Sequence, residues 1–519
     1  MTIFNNANFI SCEEQNREFS VLIEDKGRIV YTGNEIPSKY ANFPANDLGG
    51  KTVVPAFADT HAHFASLALF ESTLDVRGAN NLTELGQMLR DYEARTKKQK
   101  LTIAFGCCAH TVTERRLPGK ADLDQYTARP TMIVKYDGHA GVGNSLLIDS
   151  LPEAVKADPN YDPQSGWMEQ NAFYEGVNFM TAQISPLSIV SGLLKTADNM
   201  AQRGIALVHA AEGVGYKNDI DLDMMRFAAR GLPQDFRLFF QTMDISKVTK
   251  RKLPRIGGCF KLALDGCFGS ADAALLEPYA DNPDNSGFLS YTQEQVNDFC
   301  IEANRLGLQI ALHAIGDAAM EQAIVAFEAA HKDKPCEDAR HIIIHACMMT
   351  EAQKDRAARL KLIMATQPGF IYWQHEPAEY IESLLGRERA FASLPQKSLI
   401  DRGICVTAGS DAPCTLPDPI QGIHFACNHF NPAESVSVLD ALRMHTAWAA
   451  YSSFDENRRG TLRVGLLCDF VVLSDNPLAM PAQQLKDLKI NAVYFRGKAY
   501  QPGKQGLLGL LARAAKGGA

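Results

Sequence analysis

Between about residues 52 and 455 the chain alternates short apolar runs with amphipathic stretches of helical length, and few folds accommodate that alternation. The runs are Thr52–Phe57, Leu101–Cys107, Thr131–Tyr136, Ile205–His209, Phe236–Gln241, Cys259–Leu264, Gln309–His313, His341–His345, Leu362–Thr366 and Ile404–Ala408. Gln293–Leu306 and Asp317–Ala330 are examples of the helical stretches that follow them. Strands alternating with helices over such a length predict an α/β fold with a parallel sheet. The runs number ten, whereas a (β/α)8 barrel takes about eight. The surplus pair is expected in an insertion within about 70–200, near the barrel mouth. No repeat of 20–50 residues points to a solenoid or propeller.

The two ends of the chain read differently. Phe19–Ile23 and Arg28–Tyr31 flank Asp25-Lys26-Gly27, a hairpin signal. Asp469–Leu473 and Ala492–Phe495 form a similar pattern, closed by Arg496-Gly497-Lys498. The expectation is a small β-sandwich or sheet domain built from residues 1–52 and 456–519, flanking a barrel of residues 53–455.

A chain of 519 residues has room for both. Its net charge of −8 is mild, and no basic run suggests a nucleic-acid partner. Residues 1–20 lack a basic, apolar leader, and no window reaches the ~18 apolar residues of a membrane span. The twelve cysteines show no CxxC pair and read as reduced or buried thiols. A cytoplasmic enzyme with no membrane partner is the expectation.

Polar residues fall in a telling place. His61 and His63 follow Thr52–Phe57; Lys261 lies inside Cys259–Leu264; His313, His345 and Asp411 lie at or just after the C-terminal ends of their runs. In a (β/α)8 barrel those ends form the catalytic face. Ionisable groups gathered there are costly unless paired or bound to a metal.

Each also has a plainer reading. Residues i and i+2 of an extended segment share a side, so His61 and His63 can reach one divalent ion, yet a lone HxH is a weak signal. His313 or His345 alone would pass for a core histidine; two at corresponding points of neighbouring strand–helix units are harder to dismiss. His341 competes with His345 but sits at the other end of its run. Asp411, before Ala412-Pro413, suits a turn or helix cap, or a general base for a metal-activated water. Lys261 could be a lysine snorkelling from a strand end.

Together these segments resemble the amidohydrolase superfamily, and within it the amidohydrolase family 3 branch that includes N-substituted formamide deformylases. Val54-Pro55-Ala-Phe-Ala-Asp59-Thr-His61-Ala-His63 is similar to the VxPGFxDxHxH opening, with Ala56 in place of the usual Gly. Asp137-Gly-His139-Ala-Gly-Val-Gly-Asn144 resembles DGHSxxxN, and Lys261-Leu-Ala-Leu-Asp265-Gly266 with Gly269-Ser270 resembles KxxxDGxxGS. Leu312-His313-Ala-Ile-Gly-Asp317, Ile344-His345-Ala346, Gln367-Pro368, Leu385-Gly-Arg-Glu-Arg389 and Gly409-Ser-Asp411-Ala-Pro413 continue the series. Gly460-Thr-Leu-Arg-Val-Gly465 with Asp469-Phe470 is similar to GxLxxGxxADF, with Cys468 before Asp469.

The resemblance implies a (β/α)8 TIM barrel with a composite β domain, hydrolysing a C–N bond of a small amide or N-substituted formamide. It implies one or two divalent ions, zinc by ligand chemistry with Mn, Fe or Ni as alternatives, on His61, His63, Lys261, His313, His345 and Asp411. Lys261 would bind as a CO2-derived carbamate, because a protonated ammonium repels a cation. Asp411 would shuttle the proton, and His139 would touch the substrate carbonyl or the oxyanion. Asp265 would support the site, and Trp373, Gln374 and His375 would line the pocket. A homodimer is also implied. Two other readings share the sequence: a heterocycle deaminase or cyclic amide hydrolase on the same barrel, and a catalytically silent barrel acting as a binding protein.

Overall fold

The computed structural model describes residues 1–504 and 506–515; Gln505 and residues 516–519, the end of the segment assigned to the β domain, lie outside the described residues. Eight parallel strands form the central sheet: β1 (Phe57–Ala62), β2 (Ile205–Glu212), β3 (Asp235–Phe240), β4 (Arg255–Ala263), β5 (Gln309–Ala314), β6 (Ile342–His345), β7 (Ile363–Thr366) and β8 (Cys405–Ala408). They pair in sequence order. The first and last strands then meet: Ala62 bridges Ala412, the Asp411 N–H donates to the His61 carbonyl at 2.8 Å, and the Thr60 hydroxyl donates to that of Thr407 at 3.0 Å. Closing the barrel therefore seats Asp411 against His61. The chain is an α/β protein with a TIM barrel.

The apolar runs form strands because a parallel sheet is covered on both faces. Ile342-Ile343-Ile344 of β6 is buried throughout. The helix Asp317–Asp333 lays Ala319, Met320, Ala323, Ile324 and Phe327 into the same core. The helix Gln293–Arg305 starts at a capping box, in which Thr292 and Gln295 satisfy each other's backbone N–H.

The first barrel strand lies later than its apolar run. Thr52–Pro55 belongs to the long strand Ala45–Pro55 of a different sheet, and β1 begins at Phe57. Its polar Asp59, Thr60 and His61 are all buried, so an apolar run could not mark it. Asp59 is satisfied across the barrel seam, accepting from the Ser410 N–H at 2.9 Å and the Ser410 hydroxyl at 2.6 Å.

The surplus pair belongs to a separate sheet. Leu74–Asp75, Thr102–Cys107, Thr131–Lys135, Ala140–Gly143 and Trp167–Glu169 pair in that order, inserted between β1 and β2. Thr131–Lys135 and Ala140–Gly143 are antiparallel neighbours, and their connection, residues 136–139, reaches the barrel mouth. There the Cys414 thiol donates to the Asp137 carbonyl at 3.4 Å and Lys135 Nζ donates to the Ser270 hydroxyl at 2.6 Å.

The termini share one mixed sheet. Strand Ala45–Pro55 pairs parallel with Thr2–Ile10 on one side and antiparallel with Phe470–Leu473 on the other. Phe4, Phe9, Phe470 and Tyr494 pack ring to ring beneath it. Its hairpins turn at Lys26-Gly27 and Arg496-Gly497, four residues at positive φ, as two-residue turns matched to strand twist require. Among the described residues no helix is long and apolar enough to cross a membrane.

Candidate metal centre

Five expected residues converge at the C-terminal end of the barrel. His61 is the penultimate residue of β1 and His63 follows the strand, their rings 5.1 Å apart between centroids. Both Nε2 atoms face Asp411 Oδ1, at 3.1 and 3.3 Å. His313 on β5 and His345 at the end of β6 lie 4.6 Å apart ring to ring, and His345 is 5.6 Å from His61. All five side chains are buried.

The arrangement fits a divalent cation. Asp411 Oδ1 approaches two imidazole nitrogens yet has no hydrogen-bond partner of acceptable geometry. A buried carboxylate oxygen left in that state is expensive, and a cation between the three groups would satisfy it. Burial lowers the His61 pKa and lowers His345 well below the ordinary value; it lowers His313 to about 3. Burial alone would raise Asp411, but His61 and His63 hold its carboxyl well below the usual range. For His61, His313, His345 and Asp411 these shifts favour the neutral imidazole and the anionic carboxylate, the protonation states that metal ligands need.

Neighbouring acceptors orient the rings. His63 Nδ1 lies 3.2 Å from the Ala211 carbonyl, and His345 Nδ1 lies 2.6 Å from Gln367 Oε1. Each acceptor keeps the proton on Nδ1 and turns the Nε2 lone pair inward. Asp265 Oδ1 lies 3.3 Å from His313 Nδ1, an ion-pair distance without hydrogen-bond geometry. The Asp265 carboxylate accepts from the N–H groups of Ala274 (3.0 Å), Ile315 (3.0 Å) and Gly316 (2.7 Å). Asp265→Asn should turn an amide NH2 against these donors. We expect a loss of about 2–3 kcal/mol and a roughly 10–100-fold weaker metal affinity. The two effects are read as a lower unfolding midpoint and easier stripping by chelator. Unchanged values in both would refute the role given to Asp265.

Lys261 stands apart from the cluster. Its side chain is 42% exposed, Nζ donates to the Gly213 carbonyl at 3.0 Å and lies 3.9 Å from Asp219 Oδ1. The residue of this strand that enters the cluster is Cys259, whose Sγ is 3.1 Å from His61 Nε2 and 3.3 Å from His345 Nε2. The expectation for Lys261 came from the resemblance of its segment to KxxxDGxxGS; in a regular strand positions 259 and 261 would share a side. Instead β4 pairs with β5 from Arg255–Gln309 to Gly258–Leu312 and then jumps to Ala263–His313. The intervening residues bulge, with Phe260 at φ 51°. Two glycines permit this: a Cβ on Gly257 (φ +131°) would meet the Ala311 carbonyl oxygen at 2.0 Å, and one on Gly258 (φ +135°) would meet the Gln241 side chain at 2.7 Å. Gly257-Gly258 was the available sequence signal, since paired glycines inside a strand mark a bulge or a close backbone approach. The Phe260 ring lies 4.7 Å from the His63 ring and 5.2 Å from that of His139.

A cavity of about 560 Å³ opens onto the cluster. His139, from the inserted hairpin, lines it with His313, His345 and Asp411, its ring 6.5 Å from that of His313. Trp373 also lines it, stacked on Phe370 at 4.8 Å, as does Gln374. His375 is buried behind, stacked on Tyr136 at 5.3 Å. Apolar walls come from Phe268, Ile315, Phe391 and Leu394. Glu376, which the sequence reading passed over, accepts from the Tyr136 hydroxyl at 3.1 Å, and burial with the nearby Asp137 charge pushes it up to about 7.

Residues 45–500 match the model of the amidohydrolase family. The Bacillus subtilis (strain 168) protein YtcJ is 27% identical, over 94% of this chain and 96% of its own. The N-substituted formamide deformylase of Arthrobacter pascens is 23% identical, over 95% and 96%. An uncharacterised metal-dependent hydrolase of Pyrococcus furiosus superposes with a TM-score of 0.74 at 25% identity, covering 92% of this chain and 99% of that one.

Proposed function

Because the chain belongs to the amidohydrolase family, we propose that it is a metal-dependent hydrolase that cleaves the C–N bond of a small amide or N-substituted formamide, with Asp411 as general base. The observation that carries the metal reading is the convergence of His61 and His63 Nε2 on a buried Asp411 oxygen that lacks a hydrogen-bond partner. Nitrogen, oxygen and sulfur donors suit zinc. A bound divalent cation supplies Lewis acidity and acidifies water.

The chain's own groups supply the rest. His61, His63, His313, His345 and Asp411 would hold the ion or ions. Asp411, anionic and at the mouth, takes a proton from the attacking water and returns it to the leaving nitrogen. His139, which lines the same cavity, donates to the substrate carbonyl oxygen. Phe370 and Trp373 exclude water from the acyl group. The formamide assignment draws on the name of the Arthrobacter pascens relative and on an apolar cavity of small-molecule size.

The test is zinc-loaded protein offered a panel of N-substituted formamides, N-acyl amines, cyclic amides and aminated heterocycles. Release of a free amine with formate or a carboxylate is the expected result. Ammonia from the heterocycles alone would overturn the amide reading and leave a deaminase.

A further inference from the structure

We infer that Cys259, and not Lys261, is the anionic ligand shared by two cation positions in this site. The inference rests on the metal-dependent reading above and adds to it a thiolate bridge in place of a lysine carbamate.

The donor atoms fall into two sets with one member in common. His61, His63, Asp411 and Cys259 form the first, and His313, His345 and Cys259 the second; within each, the ligand atoms lie within 4.8 Å of one another. Cys259 Sγ is 3.1 Å from a nitrogen of the first set and 3.3 Å from one of the second. Bonds of the usual Zn–S and Zn–N lengths place sulfur and nitrogen roughly 3.5 Å apart at a tetrahedral ion, so these separations are of the size that ligands of one ion adopt. The thiol's surroundings are otherwise apolar: Cys259 packs with Phe239, Ala311, Ile344 and Ala365. Cys259 is 3% exposed, and its recorded polar contacts are to His61 and His345.

The same bulge that brings the sulfur in takes the amine out. Lys261 Nζ is held by the Gly213 carbonyl, and the Phe260 ring lies 4.7 Å from the His63 ring. Gly257 and Gly258 tie β4 so closely to β5 and Gln241 that side chains cannot be accommodated there. The choice of ligand is thus built into the backbone of β4. On binding, the Cys259 S–H bond breaks, its proton leaves to solvent, and the sulfur lone pairs form one bond to each cation. No oxidant, reductant or CO2 is required.

Cobalt reads this directly, because a thiolate bound to Co2+ gives a ligand-to-metal charge-transfer band in the near ultraviolet and a carbamate does not. The experiment loads Co2+ into the wild-type chain, Cys259→Ser and Lys261→Gln, and records the spectrum, metal per chain and the far-ultraviolet circular dichroism of each. We expect the band in wild type and in Lys261→Gln, its absence in Cys259→Ser, and a loss of metal affinity of roughly 100-fold or more in Cys259→Ser alone. A wild-type chain that binds Co2+ without the band, or a Lys261→Gln variant that loses metal while Cys259→Ser keeps it, overturns the thiolate bridge and leaves the hydrolase reading intact. A wild-type chain that binds no Co2+ overturns both. If Cys259→Ser does not fold, the wild-type and Lys261→Gln spectra still decide.

Discussion

Replacing Asp411 by Asn should lower kcat by about 10³-fold or more while leaving the secondary structure intact. A general base alone contributes about 10²–10⁴-fold, and the variant also loses the anion that the imidazoles of His61 and His63 face at 3.1 and 3.3 Å. The fold should survive, because Asp411 closes the barrel through its backbone, whose N–H donates to the His61 carbonyl at 2.8 Å. An Asn side chain keeps that bond. Steady-state kinetics on whichever amide the panel identifies, alongside circular dichroism, make the measurement. A variant retaining a tenth or more of wild-type kcat would remove Asp411 from the proton-transfer role.

Metal removal should have an effect of similar size on activity and a second one on stability. Dialysis against a chelator is expected to abolish turnover, and Zn2+ to restore it. The stripped protein returns to a state with a buried, unpartnered Asp411 oxygen facing the His61 and His63 rings inside the barrel. A ligand that binds only the folded state stabilises it by about 4 kcal/mol at a thousandfold excess over Kd, so the unfolding midpoint should rise clearly on adding zinc. Turnover that persists in metal-free protein would dispose of the metal-dependent mechanism.

Much of the site was legible before any coordinates. His313, His345 and Asp411 lie at or just after the ends of apolar runs, and a parallel barrel places all such ends on one face, so these residues could be gathered by chain position alone. The HxH spacing holds because His61 and His63 sit at the extended end of β1, both turned to Asp411. The β character of the termini was visible in two turn-plus-strand patterns, since Lys26-Gly27 and Arg496-Gly497 adopt the positive φ such turns need. The strand surplus was countable as well, although its separate sheet was not.

The remaining decisions were made by packing. Apolarity places β1 too early, because Asp59, Thr60 and His61 are buried polar residues that pair across the closed seam. The Gln367 and Asp265 partners of His345 and His313 come from other strands and loops, distant in sequence and fixed only by the barrel. His139 reaches the cavity because an inserted hairpin docks on the mouth through Cys414 and Ser270. Lys261 and Cys259 show the division most sharply. Sequence determined that one strand would carry both a lysine and a thiol two residues apart. Which of them faces the ligands depends on backbone curvature at Gly257, Gly258 and Phe260, set by how closely β4 must approach β5. Residue identity and periodicity specify a face only while the strand stays regular. Once it bulges, the side that each residue presents is decided by the neighbours against which the chain closes.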